Sequence, residues 1–174
     1  MRYSSPCGEL ILGAVDRHLC LCDWDVPERR SKIDTRVQKR LKAQYAESKS
    51  KNLDQAAQEL DEYFAGKRIL FDIPIAFSGS SFQNQVWEEL LKIPYGTIIS
   101  YKELAERTDN PKAVRAVATA VGANPISVFV PCHRVIGSNH SLTGYAGGLG
   151  AKRMLLDLEQ RTFENTHPTL SDLQ

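Results

Sequence analysis

The chain has 174 residues, 42% of them hydrophobic and 25% charged, with a formal net charge of +1. That composition suits one large folded domain or two small ones and excludes a disordered, collagenous or disulfide-scaffold protein. No apolar run is long enough to span a bilayer, the first residues lack a signal-peptide pattern, and four cysteines (Cys7, Cys20, Cys22, Cys132) do not make a disulfide framework, so a reducing, intracellular setting is expected.

Residues 10–15 and 19–24 read as two short strands joined by a turn at Asp16-Arg17, hence a hairpin. Period-two alternation puts His18, Cys20, Cys22 and Trp24 on one face of the second strand. Ile33, Val37, Leu41 and Tyr45 recur every four residues and predict a helix; Leu53, Ala57, Leu60 and Phe64 predict another, stopped at Gly66. Ile69, Phe71, Ile73, Ile75 and Phe77 alternate as in a half-buried strand, and Pro74 assigns it to a sheet edge. This part, residues 1–78, reads as a small α/β domain. Ser78-Gly79-Ser80-Ser81 is the best linker in the chain.

Beyond it the period becomes helical. Phe82, Val86, Leu90 and the pair Trp87/Leu91 make one apolar face, ended by Pro94 and Gly96. Ser100 with Glu103 forms a capping box for the next helix. Asn110 as N-cap, with Pro111 in the first helical position, starts another, which Asn124-Pro125 stops. Two helices at about residues 101–107 and 111–122, joined by Thr108-Asp109-Asn110, have helix-turn-helix spacing. On the second, Val114, Val117, Ala118 and Val121 face inward, while Arg115, Thr119 and Gly122 lie elsewhere. Ala113, Ala116, Ala120 and Ala123 keep it slim enough for its backbone to approach a groove wall. A plain helical hairpin is the competing reading. The second part spans residues 79–165, and the chain after Arg161, with residues 166–174 at its end, reads as a loose tail.

The net charge does not announce a nucleic-acid binder. The basic excess lies between Arg29 and Lys51, nine Lys or Arg against Asp34 and Glu47. It reads as a solvated helix face, with an auxiliary contact to DNA phosphates as the sharper alternative. Cys7, His18, Cys20 and Cys22 raise the question of a structural metal. Cys-x-Cys on one strand is not zinc spacing, and core-filling cysteines are the preferred reading.

Pro131-Cys132-His133-Arg134 is the most informative tetrapeptide. It follows an apolar run over residues 126–130 and precedes Val135-Ile136-Gly137. A free thiol titrates near 8.5, so about a few per cent is thiolate at neutral pH; a neighbouring imidazole raises that fraction. An inert core cysteine is the competing reading.

Read outward from Cys132, residues 80–160 resemble the O6-alkylguanine-DNA alkyltransferases, or methylated-DNA–protein-cysteine methyltransferases. The pieces, in order, are Phe82-Gln-Asn-Gln-Val-Trp87, Ile93-Pro-Tyr-Gly-Thr97, Ser100-Tyr-Lys-Glu-Leu-Ala105, Asn110-Pro-Lys-Ala-Val-Arg-Ala-Val117, Asn124-Pro125, Pro131-Cys-His-Arg-Val-Ile-Gly137, Thr143-Gly-Tyr-Ala-Gly-Gly148 and Leu155-Leu-Asp-Leu-Glu159. The resemblance implies a ribonuclease H-like α/β N-terminal domain with a small antiparallel sheet. A mainly helical, winged-helix-like domain with a helix-turn-helix would follow it. It implies a single-turnover transferase that takes an alkyl group from O6-alkylguanine in double-stranded DNA onto Cys132, after minor-groove binding and base flipping. Activity on O4-alkylthymine is left open.

In that scheme His133 takes the thiol proton through a water and Glu159 orients His133. Tyr101 crowds the target's phosphate and is the expected proton donor to the guanine ring, and Arg115 fills the gap left by the flipped base. Ala116 and Thr119 share the DNA-facing helix. Asn124 ties that helix to the backbone around Cys132. The carbonyls of Cys132 and Val135 read the guanine amine, and Tyr145 and Ala146 form a pocket wall. Some members carry serine where this chain has Ala146, so a contact to O6 there falls to the backbone N–H. No cofactor, metal or membrane is needed, a monomer suffices, and the expected location is cytoplasmic, or nuclear in a eukaryote. The alternatives are a non-catalytic alkyltransferase-like lesion binder, against which Cys132 argues, and a cysteine hydrolase, which leaves Arg115 and the helix pair unexplained.

Overall fold

A computed structural model describes residues 1–48 and 50–166. A three-stranded antiparallel sheet of order β1-β2-β3 is built from β1 (Arg2–Ser5), β2 (Gly8–Val15) and β3 (His18–Trp24). The expected hairpin is β2–β3, turning at Asp16 with φ 52°, a left-handed conformation that Asp tolerates. The expected single face on β3 is corrected by a bulge. Gly13 opposes Leu21 and Ala14 opposes Leu19, which leaves Cys20 as the extra residue. Past the bulge the inward set flips. Leu19, Cys22 and Trp24 enter the main core, while Cys20 and Leu21 pack with Ile33 and Val37. Cys20 and Cys22 therefore sit in different clusters. Among the described residues no group of three or more His, Cys, Asp or Glu is arranged to hold a metal ion.

Helix α1 (Pro27–Leu41) lies against β3 through Ile33 and Val37 and ends at Lys42 in the left-handed region. Tyr45, predicted to belong to this helix, therefore lies outside it, though its hydroxyl returns to Asp34 Oδ1 at 2.8 Å. Helix α2 (Lys51–Phe64) stops as expected, with Gly66 at φ 68°. The predicted edge strand over residues 69–77 is not a strand. Ile69 and Leu70 are exposed, and one parallel bridge, Leu19 to Ile75, is its pairing with the sheet. Pro74 has no N–H to continue a ladder, and its carbonyl accepts from Leu19 N.

Residues 78–81 are packed rather than loose. Ser80 caps α3 (Ser81–Leu91) in a capping box with Gln83, and a Cβ on Gly79 would meet the Trp87 ring at 2.6 Å. Val86, Trp87 and Leu90 are buried as predicted, but Leu91 is exposed. Strand β4 (Ile99–Ser100) leads into α4 (Tyr101–Arg107), whose Ser100–Glu103 capping box is formed. Helix α5 (Val114–Gly122) starts later than Asn110-Pro111 predicted. Asp109 takes φ 56°, and Asn110 O accepts from Ala113 N, so these residues spend their turn chemistry on a loop and Ala113 becomes the N-cap. Ala120 is buried, not part of a slim outer face, because Trp87 Nε1 donates to its carbonyl at 2.8 Å.

Strand β5 (Val135–Ile136) pairs parallel with β4, and α6 (Gly148–Thr166) closes the chain. The tail expected after Arg161 is helical to Thr166, with Thr162 buried; residues 167–174 lie outside the described residues. One cluster of buried residues runs from Leu10 and Trp24 through Leu60, Trp87 and Val117 to Leu155. No helix among the described residues is long and apolar enough to cross a membrane.

Candidate active site

The buried run over residues 124–136 delivers Cys132. β3 pins its start: Cys22 N donates to Pro125 O at 2.9 Å and Ser127 N to Cys22 O at 2.6 Å. Asn124, itself buried, donates through Nδ2 to Val130 O at 3.0 Å and accepts from Ile126 N at 2.9 Å. The end of α5 is thereby tied to the backbone two residues before Cys132. Ala123 is the C-cap of α5, and Asn124, one residue beyond it, makes the tether. Val128 holds φ 72°, which a β-branched residue adopts only under surrounding constraint.

Cys132, His133 and Arg134 form a single 3-10 turn and all three are buried. Burial pushes the Cys132 thiol up, against a downward pull from Asn124, Arg29 and Lys152. At rest the sulfur therefore keeps its proton, and a base is required to make a nucleophile.

Glu159, from α6, is the hub beside it. Its Oε1 receives His133 Nε2 at 2.6 Å, Tyr63 Oη–H at 2.7 Å and Arg134 Nη2 at 3.0 Å. Its Oε2 receives Arg134 Nε at 2.8 Å and Gly96 N at 3.2 Å. Burial alone would raise this carboxyl, but His133 and Arg134 outweigh it and hold Glu159 well below the usual range, so it is ionised. A carboxylate only accepts, so Nε2 of His133 carries the hydrogen. Burial lowers His133 despite Glu159's opposite pull, so the ring is neutral near pH 7. Its Nδ1 then bears the free lone pair, buried and with no hydrogen bond to any described protein group. A neutral imidazole, its far side held by a carboxylate, follows a protonated thiol in the chain, and these are the residue types a nucleophile–base–orienter set uses.

Tyr101 opens α4, half-buried; burial raises its phenol while Thr143 lowers it, and Cys132 lies close enough to add a further rise. Tyr145 packs edge-on against Trp24, with centroids 5.8 Å apart, and also lies within electrostatic reach of Cys132. Ala146 is half-buried and Val135 fully buried. A Cβ on Gly147 would clash with the Trp24 ring, so the N-terminal sheet shapes this wall. The Cys132 carbonyl already accepts from Val135 N, and the Val135 carbonyl from Lys152 Nζ at 2.6 Å, which leaves each one further lone pair. Arg115, Ala116 and Thr119 are not in this cluster; they are exposed along α5 together with Gly122.

Sequence reasoning missed Tyr63, Arg134, Lys152 and the backbone N–H of Gly96. Arg134 is the one with a visible signal, since it sits inside the Cys132 motif. Lys152 is fully buried, clamping Val135 O and Thr143 O, and Tyr63 comes from α2, ninety-six residues before Glu159. Tyr63→Phe should lower stability by about 1.5–3 kcal/mol, the usual worth of a hydrogen bond to a charged group, read as a shift in urea midpoint at constant slope. An unchanged midpoint would remove Tyr63 from the hub.

Two protein-family models match the chain. They are 6-O-methylguanine DNA methyltransferase, ribonuclease-like domain, over residues 2–77, and 6-O-methylguanine DNA methyltransferase, DNA binding domain, over residues 81–161. The methylated-DNA–protein-cysteine methyltransferase of Methanosarcina barkeri is 42% identical over 156 residues, 90% of this chain and 93% of that protein. The inducible enzyme of that name from Bacillus subtilis is 51% identical over 109 residues, which span 63% of this chain and 61% of that relative's length. Among solved structures, Mycobacterium tuberculosis OGT in complex with DNA has a TM-score of 0.78 at 38% identity, covering 92% of each chain.

Proposed function

The chain belongs to the 6-O-methylguanine DNA methyltransferase family, and on that premise we propose that it repairs O6-alkylguanine in double-stranded DNA by moving the alkyl group irreversibly onto its own Cys132. The observation that carries the assignment of roles is the fixed tautomer of His133. Glu159 holds the N–H on Nε2, so the lone pair on Nδ1 is free to take a proton. Through a water, Nδ1 receives the Cys132 proton. The thiolate attacks the alkyl carbon, the S–C bond forms as the C–O6 bond breaks, and the electron pair leaves on guanine O6. The imidazolium, stabilised by Glu159, returns a proton to the guanine. A thioether is a poor leaving group, so one protein accepts one alkyl group.

The exposed face of α5 supplies the DNA contact, with Arg115 entering the stack as the nucleotide leaves it; unstacking costs a few kcal/mol that inserted side chains offset. Tyr101, at the start of α4 and beside Cys132, presses on the target phosphate from the pocket side. Tyr145 and Ala146 wall the base, and the remaining lone pairs on the Cys132 and Val135 carbonyls receive its exocyclic amine. Residues 1–78 act as the supporting domain and residues 79–165 as the acting one. The substrate places the protein with DNA, in the cytoplasm or, in a eukaryote, the nucleus.

Intact-protein mass after mixing with O6-methylguanine duplex, followed by peptide mapping, tests this directly. One methyl per protein, on Cys132, is expected. No added mass with tight lesion binding would leave only a lesion-flagging role. Arg115→Ala should slow repair of the duplex by about 10–100-fold, the order of the few kcal/mol it offsets, and leave transfer from free O6-benzylguanine unchanged. Equal slowing of both substrates would remove the flipping role.

A further inference from the structure

We propose that the exposed basic stripe of α1, carried by Lys32, Lys39 and Arg40, binds phosphates of the duplex beside the lesion and so extends the DNA surface of α5. The inference rests on the DNA-repair reading above.

Placement comes first. Arg29, Lys32, Arg36 and Lys39 recur at intervals of three and four, so they form one line along α1. Two of them are anchors. Arg29 pairs through Nε with Asp23 Oδ1 at 2.9 Å, then donates through Nη1 to Gly122 O at 2.8 Å and through Nη2 to Asn124 O at 2.7 Å. Arg36 donates to Ala123 O and lies over the Trp87 ring at 5.6 Å. The carbonyls of Gly122 and Ala123 are among those the last turn of a helix leaves without partners, and that of Asn124 follows directly. Gly122, held by Arg29, also belongs to the exposed line of Arg115, Ala116 and Thr119. The basic line therefore begins where the DNA-facing line of α5 ends, and two half-buried arginines hold the junction.

Charge comes next. Beyond the anchors, Lys32, Lys39, Arg40 and Lys42 line a shallow groove with Ser31 and Thr35, and no carboxylate lines it. The one nearby aspartate on the helix, Asp34, is occupied by Arg30 and the Tyr45 hydroxyl. Lys32, Lys39 and Arg40 are exposed, and among the described residues none of them is engaged in an ion pair. From Lys32 to Arg40 the helix advances about 12 Å at 1.5 Å per residue. A duplex carries one phosphate charge per roughly 1.7 Å of axis, so several fall within reach of the stripe. Continuity with α5 favours DNA over an acidic protein as the occupant.

The test uses the full chain with Lys32→Gln, Lys39→Gln and Arg40→Gln combined. Affinity for a lesion duplex of about 20 base pairs is measured between 50 and 200 mM salt, alongside transfer from free O6-benzylguanine. Each phosphate contact contributes a slope of about −0.9 in log K against log salt, so the variant should lose about 2.7 of slope. Across that salt range the wild type should therefore fall about 40-fold more than the variant. Transfer from O6-benzylguanine should be unchanged, which also shows that the variant folds. An unchanged slope overturns the proposal. A loss confined to cooperativity between bound proteins, with the single-site slope intact, also overturns it and assigns the stripe to a second copy. Failure of the wild type to take a benzyl group would instead sink the alkyltransferase reading itself.

Discussion

Cys132→Ala should drop alkyl transfer by at least about four orders of magnitude, to the uncatalysed background, with lesion-duplex binding retained. The size follows from the absence of a substitute nucleophile. Cys22 is fully buried and raised well above an ordinary thiol, burial pushes Cys20 up to about 11 in a separate cluster under α1, and burial also raises half-buried Cys7. None of the three is favoured as thiolate at neutral pH. Binding should survive because the exposed residues of α5 lie outside the cluster around Cys132, and replacing sulfur by hydrogen at a small side chain leaves little cavity. Methyl transfer is followed by mass, binding by titration of labelled duplex. Transfer at the wild-type rate would move the nucleophile elsewhere. Loss of binding in a folded variant would contradict the separation of roles.

Glu159→Gln should act on stability and chemistry together. It leaves the Arg134 guanidinium, only 6% exposed, without its counter-charge, and breaking a buried pair from one side costs about 3–5 kcal/mol. It also replaces the acceptor-only carboxylate by an amide whose NH2 can face the ring, so Nε2–H on His133 is no longer fixed and the imidazolium loses its counter-charge, for which a loss of about 10²–10⁴ in transfer rate is expected. Urea unfolding and the rate with O6-benzylguanine read the two effects separately. The pH dependence follows from directions already given. Glu159 titrates lower folded than unfolded, so its contribution is present above its ordinary value of 4.5 and lost as the pH falls through the folded one. His133 is also lowered when folded, so acid below its ordinary 6.5 charges it more readily in the unfolded chain and destabilises the fold further. The wild type should lose stability steadily below pH 6.5, while the Gln variant lacks the part below 4.5. Transfer should stay level above pH 6.5, where His133 is neutral. A variant as stable as the wild type at pH 7 would dismiss the hub.

Helices α1 to α4 were legible from four-residue recurrence and from caps, and the Ser100–Glu103 box formed as read, whereas α6, which carries Glu159, was not read as a helix. The misreadings have local causes. Asn110-Pro111 carries a strong helix-start signal, but the same chemistry makes turns, and Asp109 in the left-handed region settled the competition. Residues 69–77 alternate as a strand does, but a ladder needs an edge to pair with, and Pro74 limits that pairing to one bridge with β3. The β3 bulge was invisible because period two is only a promise of alternation, and one extra residue at Cys20 breaks it.

A cysteine and a histidine adjacent in the chain, on a segment apolar enough to be buried, and an exposed arginine on a slim helix can all be read from the sequence alone. Adjacency is covalent and burial follows composition, so both survive without coordinates. Only the tertiary structure decided what surrounds them. The tautomer of His133 depends on Glu159 from α6. The charge of Glu159 depends on Arg134, on Tyr63 from α2 and on the N–H of Gly96. These groups are scattered over nearly a hundred residues, and hydrogen bonds act over about 3 Å, so their meeting is a property of the packed core and of nothing shorter.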